Sequence, residues 1–248
     1  MSLLKRLRGE TTAAPAIPAD FSKADAAIVE RVRPYTMTSA ERIGALLGAV
    51  EYVVRRDLPG AFAECGVWRG GSVLAMLLRL LELGDSAREI YLFDTFQGMT
   101  RPTEHDQSRY SESALSAWEK AAAAGQKAWD GFFSPQVYGI EQVREVLVAT
   151  GYPAARLHLV QGPVEKPLPA AAPEQIALLR LDTDWYESTR HEMEHLYPRL
   201  VSGGALIIDD YGHWDGCRKA VDEYFASGAA APVLLARVDY TGRIAVKS

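Results

Sequence analysis

Two acidic doublets follow apolar runs in this chain. Asp182-Thr183-Asp184 comes directly after Leu178-Leu179-Arg180-Leu181, and Asp209-Asp210 comes directly after Ala205-Leu206-Ile207-Ile208. Acids placed at the end of such runs sit where buried strands leave a sheet. Four carboxylates converging on one edge repel one another unless something compensates them. A hard divalent cation with oxygen ligands and open positions for water and substrate is the economical answer, and Mg²⁺ suits that role. Helix capping accounts for one acid of this kind, but hardly for two doublets at neighbouring exits.

A second group of residues points to an adenosine-type ligand. Glu64-Cys65-Gly66-Val67-Trp68-Arg69-Gly70-Gly71-Ser72 reads as a strand end, a glycine turn and a helix start. Glycines there let the backbone approach a ligand closely, and the helix start offers free N–H groups. The spacing is not G-x-G-x-x-G, which weakens a dinucleotide reading. The next strand ends at Asp94, an acid placed to take both hydroxyls of a ribose. The strand after it ends at Gln161-Gly162, beside the place an adenine would occupy. Glu64, Gly66, Val67, Gly70, Ser72, Asp94, Gln161 and Gly162 are therefore the expected cofactor-binding set.

The five histidines are dispersed. His191 and His195 are four apart, a spacing that can chelate zinc, but are read as a solvated helix face. His213, just past the second acidic doublet, is a pocket residue and a candidate base. No Ser-His-Asp arrangement is readable.

These residues need a frame that gathers strand ends. From Ser39 onward, Ile43, Leu46, Leu47, Val50, Val53 and Val54 recur at helical spacing, with Ser39 or Thr38 as the N-cap. An alternation follows. Strands are expected at 61–65, 89–93, 157–160, 176–181 and 205–208, the last entered through a Gly203-Gly204 turn. Helices are expected at 72–83, 187–200 and 214–225. Two late β-like runs, 233–238 and 243–246, close as an antiparallel edge. The pattern implies an α/β fold with a doubly wound, mostly parallel sheet. Ligands in such sheets bind outside the carboxyl ends of the strands. Residues 100–134, polar and then alanine-rich with Trp118 and Trp129, are too long for a simple connection. They form either a surface helix or a lid over the strand ends. Residues 1–38 are an N-terminal arm, loose to about Asp20, and the whole chain is one domain.

Composition narrows the partners. Lys plus Arg total 27 against 32 for Asp plus Glu, a net charge of −5 that argues against nucleic acid. No apolar run reaches the roughly 20 residues that span a bilayer, and no signal peptide is evident. Only Cys65 and Cys217 are present, so no disulfide scaffold is expected and a cytoplasmic setting is natural. Aromatic and apolar residues of the arm and lid (Phe21, Ile28, Tyr35, Trp118, Trp129) suggest a self-association surface and a homo-oligomer.

The strings ECGVWRGGS, DTFQGM, LLRLDTDWYEST and GGALIIDDYG resemble the macrocin O-methyltransferase family, from about Tyr35 to the C-terminus. The resemblance implies a class I methyltransferase fold with a seven-stranded sheet. It implies S-adenosylmethionine and Mg²⁺ as cofactors and a sugar hydroxyl of a natural product as acceptor. It implies Asp182, Asp209 and Asp210 as metal ligands and Asp184 as general base. Two other readings of the motifs compete. A nicotinamide-dependent dehydrogenase leaves both acidic doublets unexplained, and a D-x-D glycosyltransferase leaves the adenosine site unexplained.

Overall fold

The computed structural model describes residues 17–248, so most of the expected loose N-terminal segment lies outside the described residues. Helix α1 (Lys23–Val32) begins at Ser22, whose hydroxyl accepts from the Asp25 N–H at 3.1 Å while Asp25 accepts from the Ser22 N–H at 3.1 Å. Ile28, Val29 and Val32 face inward. Burying each such side chain contributes about 1.5–3 kcal/mol, which fastens the helix. An Arg79–Asp25 ion pair ties it further to the helix Gly71–Glu82. Residues 23–32 are thus part of the core. Helix α2 (Ala40–Arg55) is capped by Ser39, as its sequence predicts, with the Ser39 hydroxyl accepting from the Arg42 N–H at 3.2 Å.

The sheet contains β1 (Ala61–Cys65), β2 (Ile90–Asp94), β3 (Leu157–Gln161), β4 (Ile176–Leu181), β5 (Leu200–Ile208), β6 (Ala236–Arg237) and β7 (Arg243–Val246). Their spatial order is β3-β2-β1-β4-β5-β7-β6. The first five are parallel, and β7 and β6 close an antiparallel edge. Strand β5 starts five residues earlier than the sequence reading placed it. Gly203-Gly204 is not a turn before the strand but lies inside it, where the β4–β5 register shifts. Gly203 has φ of +81°, which only glycine adopts cheaply.

Helices cover both faces. α1, α2, α3 (Gly71–Glu82) and α6 (Ile140–Val148) pack on the face of Phe62, Leu92, Leu178 and Ile207. α7 (Tyr186–His195) and α8 (Asp215–Ala226) pack on the face of Cys65, Phe93, Leu179, Leu181 and Ile208. Helix α6 was not anticipated. α7 is shorter than expected, because Pro198 falls in a 3₁₀ turn at Tyr197–Arg199.

Residues 100–134 form two helices, α4 (Ala114–Ala123) and α5 (Asp130–Phe133), joined to the strand exits by specific contacts. Trp185 Nε1 donates to the Thr100 carbonyl at 3.1 Å, and Trp68 Nε1 to that of Phe132 at 2.7 Å. Trp129 packs on Trp185 with ring centroids 5.9 Å apart. The residues expected to mediate self-association are used within the chain. Ile28 is in the core, Phe21 packs against it, and Tyr35 lines the cavity described next.

Candidate active site

A cavity of about 500 Å³ lies at the carboxyl ends of β1, β2, β4 and β5. One wall comes from residues 35–42, which no motif in the sequence advertised. The other walls carry Glu64, Gly66, Val67, Ser72, Asp94, Gly162, Asp182, Asp184, Asp209, Asp210 and His213. Two members of the expected cofactor set are not on it. Gly70 instead caps α3, and Gln161 is exposed, with its amide donating to the Thr95 carbonyl at 3.4 Å.

Strand register explains how the charges meet. Glu64, Arg180 and Asp209 continue the stripe of Phe62, Leu178 and Ile207, two residues further toward the strand ends. Arg180 pairs with Glu64 across β1–β4. Its guanidinium, 1% exposed, reaches Glu64 at 2.6 Å, Asp182 at 2.7 Å and Asp209 at 2.6 Å. It also donates to the Thr38 hydroxyl at 3.1 Å. Arg42 from α2 pairs with the other Asp209 oxygen and lies 3.1 Å from Asp239. The sequence reading passed over both arginines. The signal was present in Arg180, a charge within an apolar strand, which requires buried partners.

Two guanidinium groups, one of them shared with Asp239, do not neutralise the five carboxylates Glu64, Asp182, Asp184, Asp209 and Asp210. Asp209 is held below its usual value because Arg180 and Arg42 outweigh its burial. The others are pushed up by burial first. Glu64 rises to about 8, against the pull of Arg180. Asp182 rises to about 7, and Asp184 to about 8 with Asp182 adding to the effect. Asp210 rises well above the ordinary carboxylate range through burial and the charge of Asp184. Its Oδ2 is buried and has no hydrogen-bond partner among the described residues. Donor atoms of Asp182, Asp209 and Asp210 all lie within 4.8 Å of one another. An orphaned carboxylate oxygen inside an all-oxygen cluster of excess negative charge fits a hard divalent cation.

Asp184 stands apart from that cluster. β4 ends at Leu181, and Asp184 has φ of +67°, so Asp182 and Asp184 do not share one extended stretch of backbone. The turn instead aims Asp184 at α8, where Trp214 Nε1 donates to its Oδ1 at 2.8 Å. His213, the rival base, is pushed down to about 4 by burial and then by Arg42, and its Nδ1 lies 3.2 Å from the Tyr240 hydroxyl.

Asp94 is held by backbone donors. Its Oδ2 accepts from the Val67 N–H at 2.7 Å and the Trp68 N–H at 3.0 Å, and its Oδ1 from the Phe96 N–H at 2.7 Å. The Tyr138 hydroxyl adds a long bond of 3.4 Å. The carboxylate clamps the exits of β1 and β2 together while also lining the cavity. Gly66 has its own packing reason. A Cβ there would come within 2.0 Å of the Asp182 carbonyl, so glycine permits β1 and β4 to exit side by side.

The histidine pair is not an ordinary polar face either. His191-Glu192-Met193-Glu194-His195 literally contains the zinc-peptidase spacing H-E-x-x-H. Glu192 does not share the histidine face. It is fully buried and accepts from the Thr183 hydroxyl at 2.9 Å, beneath the Asp182–Asp184 loop.

A seven-stranded sheet of this order, with a reversed edge and a ligand cavity at the exits of β1 and β2, defines a methyltransferase of the Rossmann-like class. Residues 22–245 match the family model described as Macrocin-O-methyltransferase (TylF), and the chain belongs to that family: it is an S-adenosylmethionine-dependent O-methyltransferase. It is 34% identical over 209 residues to 8-demethyl-8-(2,3-dimethoxy-alpha-L-rhamnosyl)-tetracenomycin-C 4'-O-methyltransferase of Streptomyces olivaceus, covering 84% of this chain and 74% of that one. It is 31% identical over 244 residues to demethyldecarbamoylnovobiocin O-methyltransferase of Streptomyces niveus, covering 94% and 87%. The solved O-methyltransferase NovP superposes with a TM-score of 0.72 at 28% identity, over 86% of this chain and 82% of that one. A more distant fold neighbour, the O-methyltransferase TomG from Streptomyces achromogenes, was solved in complex with S-adenosylmethionine; its TM-score is 0.52 at 12% identity, over 92% of each chain. Among the described residues no helix is long and apolar enough to cross a membrane.

Proposed function

We propose that this enzyme methylates a sugar hydroxyl of a glycosylated natural product, with Mg²⁺ held by Asp182, Asp209 and Asp210 and with Asp184 as the base. The observation that carries the reading is the partnerless Asp210 oxygen in the acidic cluster, on the same cavity wall as a separately oriented Asp184. A relative named for 4'-O-methylation of a rhamnosyl group supports a sugar acceptor.

A sugar hydroxyl is a poor nucleophile at neutral pH, and a bound divalent cation would acidify and orient it. The chain's own residues do the rest. Trp214 fixes the Asp184 carboxylate by its indole N–H, so that Asp184 can accept the hydroxyl proton. The sulfonium leaving group needs no proton, so no general acid is required. The close β1–β4 exit at Gly66 brings the methyl-donor half of the cavity against the acidic half, which serves in-line placement of oxygen, methyl carbon and sulfur. Val67, Ser72 and Gly66 would border the methionine part of the donor, and Gly162 the adenine. Asp94 would act by holding the Val67–Trp68 and Phe96 backbones. Residues 100–134, through Thr100, would cover the acceptor.

The test is turnover of S-adenosylmethionine with a panel of deoxysugar glycosides and nucleotide deoxysugars, read by mass spectrometry with and without chelator. A methylated glycoside formed only when Mg²⁺ is restored is the expected result. One specific observation favours a second reading: both Asp209 oxygens are held by guanidinium groups, so the arginines could serve as the site's cations. Full turnover after chelation would select that reading.

A further inference from the structure

We propose that α7 carries a second metal site, separate from the acidic cluster and built from His191, Glu194 and His195 for a transition cation of the zinc class. Positions i, i+3 and i+4 share one helix face. Donor atoms of the three side chains lie within 4.8 Å of one another, and the two imidazole rings are 4.3 Å apart at 68°.

A second observation points to a ligand. Among the described residues, His191 Nε2 is buried and has no hydrogen-bond partner. Nearly all buried polar atoms in folded proteins are paired, and an unpaired one calls for a missing ion or water. An imidazole nitrogen beside another imidazole and a carboxylate can be satisfied by a shared cation.

Charged neighbours are accounted for. Arg190 donates to Glu194 Oε1 at 3.0 Å and is shared with Glu187 at 3.0 Å. Arg199 is turned to backbone, donating to the His195 carbonyl at 3.2 Å and the Pro173 carbonyl at 3.0 Å. Neither guanidinium is hydrogen-bonded to an imidazole nitrogen.

The donor set decides which ion. Two imidazoles and one carboxylate select Zn²⁺, Ni²⁺ or Cu²⁺, whereas carboxylates alone suit Mg²⁺. Three protein ligands on zinc leave one open position. The site is not a peptidase centre despite its H-E-x-x-H spelling, because the glutamate on the metal face is Glu194, while Glu192 is turned into the core.

The experiment titrates Zn²⁺ into the chelator-treated full-length protein by calorimetry, with millimolar Mg²⁺ present throughout to saturate the oxygen cluster. One Zn²⁺ per chain at micromolar affinity is expected. His191→Ala and His195→Ala are each expected to weaken it by about tenfold or more. Asp210→Asn is expected to leave it unchanged. Cu²⁺ loaded in place of Zn²⁺ is expected to give an electron paramagnetic resonance spectrum with coupling to two imidazole nitrogens. His195→Asn, at a helix-end position, provides the comparison where His191→Ala fails to fold. Zinc affinity unchanged in the His195 variants, no saturable Zn²⁺ binding to the wild-type chain, or loss of binding in Asp210→Asn alone would each overturn the proposal.

Discussion

Asp94 and Asp210 are both acids at strand exits on one cavity, yet their surroundings are opposite. Burial pushes both upward, and at Asp94 three backbone N–H groups push back. At Asp210 the carboxylates of Asp184, Asp182 and Asp209 outweigh Arg42, and one oxygen is left with no partner among the described residues. Burial alone therefore does not tell two such acids apart. The distinction lies in whether the protein itself has supplied the counter-groups. Where it has, the acid holds backbone together. Where it has not, the fold tolerates a deficit that a ligand can fill.

The sharpest way to break this contrast concerns Asp184, which has a single oriented donor and a free side. Asp184→Asn is expected to lower kcat by about 10²–10⁴-fold. S-adenosylhomocysteine affinity, measured by calorimetry, is expected to stay unchanged. Near-normal turnover there, together with collapse in His213→Ala, would move the base to His213.

The same chemical change at the two contrasted acids is expected to have opposite signs. Asp94→Asn replaces an acceptor of three N–H groups by an amide that cannot accept them all. It is expected to destabilise the chain by about 1–3 kcal/mol in urea melts and to weaken cofactor binding. Asp210→Asn removes an uncompensated acid, so the chelated chain is expected to be more stable than wild type at pH 8.5 while its Mg²⁺-dependent turnover falls. Equal destabilisation by both would erase the distinction.

A smaller effect follows from the raised carboxyls. Glu64 at about 8, Asp182 at about 7 and Asp184 at about 8 lie above their unfolded values near 4. The folded chain therefore holds more protons than the unfolded chain across that interval. The stability these groups contribute is fully present below about pH 4 and is lost as pH rises to about 8. The melting temperature of the chelated protein is expected to fall between pH 6 and pH 9, with saturating Mg²⁺ flattening the slope. The smallest effect is expected at His213. With its pKa near 4, the pH–rate profile lacks an inflection near 6.5, and His213→Gln leaves its shape unchanged.

Much of this was readable in the chain. The strands of the parallel sheet, the Ser39 cap and the two acidic doublets follow from local pattern, because a buried strand is a short apolar run and its exit is where polarity returns. Asp182, Asp209 and Asp210 do meet, as the resemblance implied. What escaped was non-local. Arg42 reaches Asp209 across 167 positions, and Thr38 meets Arg180 across 142. Period and spacing carry no information about such pairs. The three N–H partners of Asp94 belong to loops whose backbone direction no residue type encodes. The Gly203-Gly204 pair was misread because a bulge and a turn ask for the same residue.

Asp106 holds a consequence for exchanging acceptor preference between relatives. This fully buried acid accepts from the Tyr186 N–H at 2.7 Å at the start of α7, and from the Thr103 N–H at 2.7 Å. One residue on, the Gln107 carbonyl accepts from the Asp215 N–H at 2.9 Å at the start of α8. Any Cβ at Gly216 would run into Asp106. The covering segment is therefore two pieces with different owners. Residues 100–107 are fittings of the two helices that follow the acidic exits, whereas 108–134 meet the strand exits through Trp129 and the Phe132 carbonyl. A chimera joined after Gln107 keeps both helix starts, whereas one joined at Thr100 imports a foreign cap into the catalytic frame.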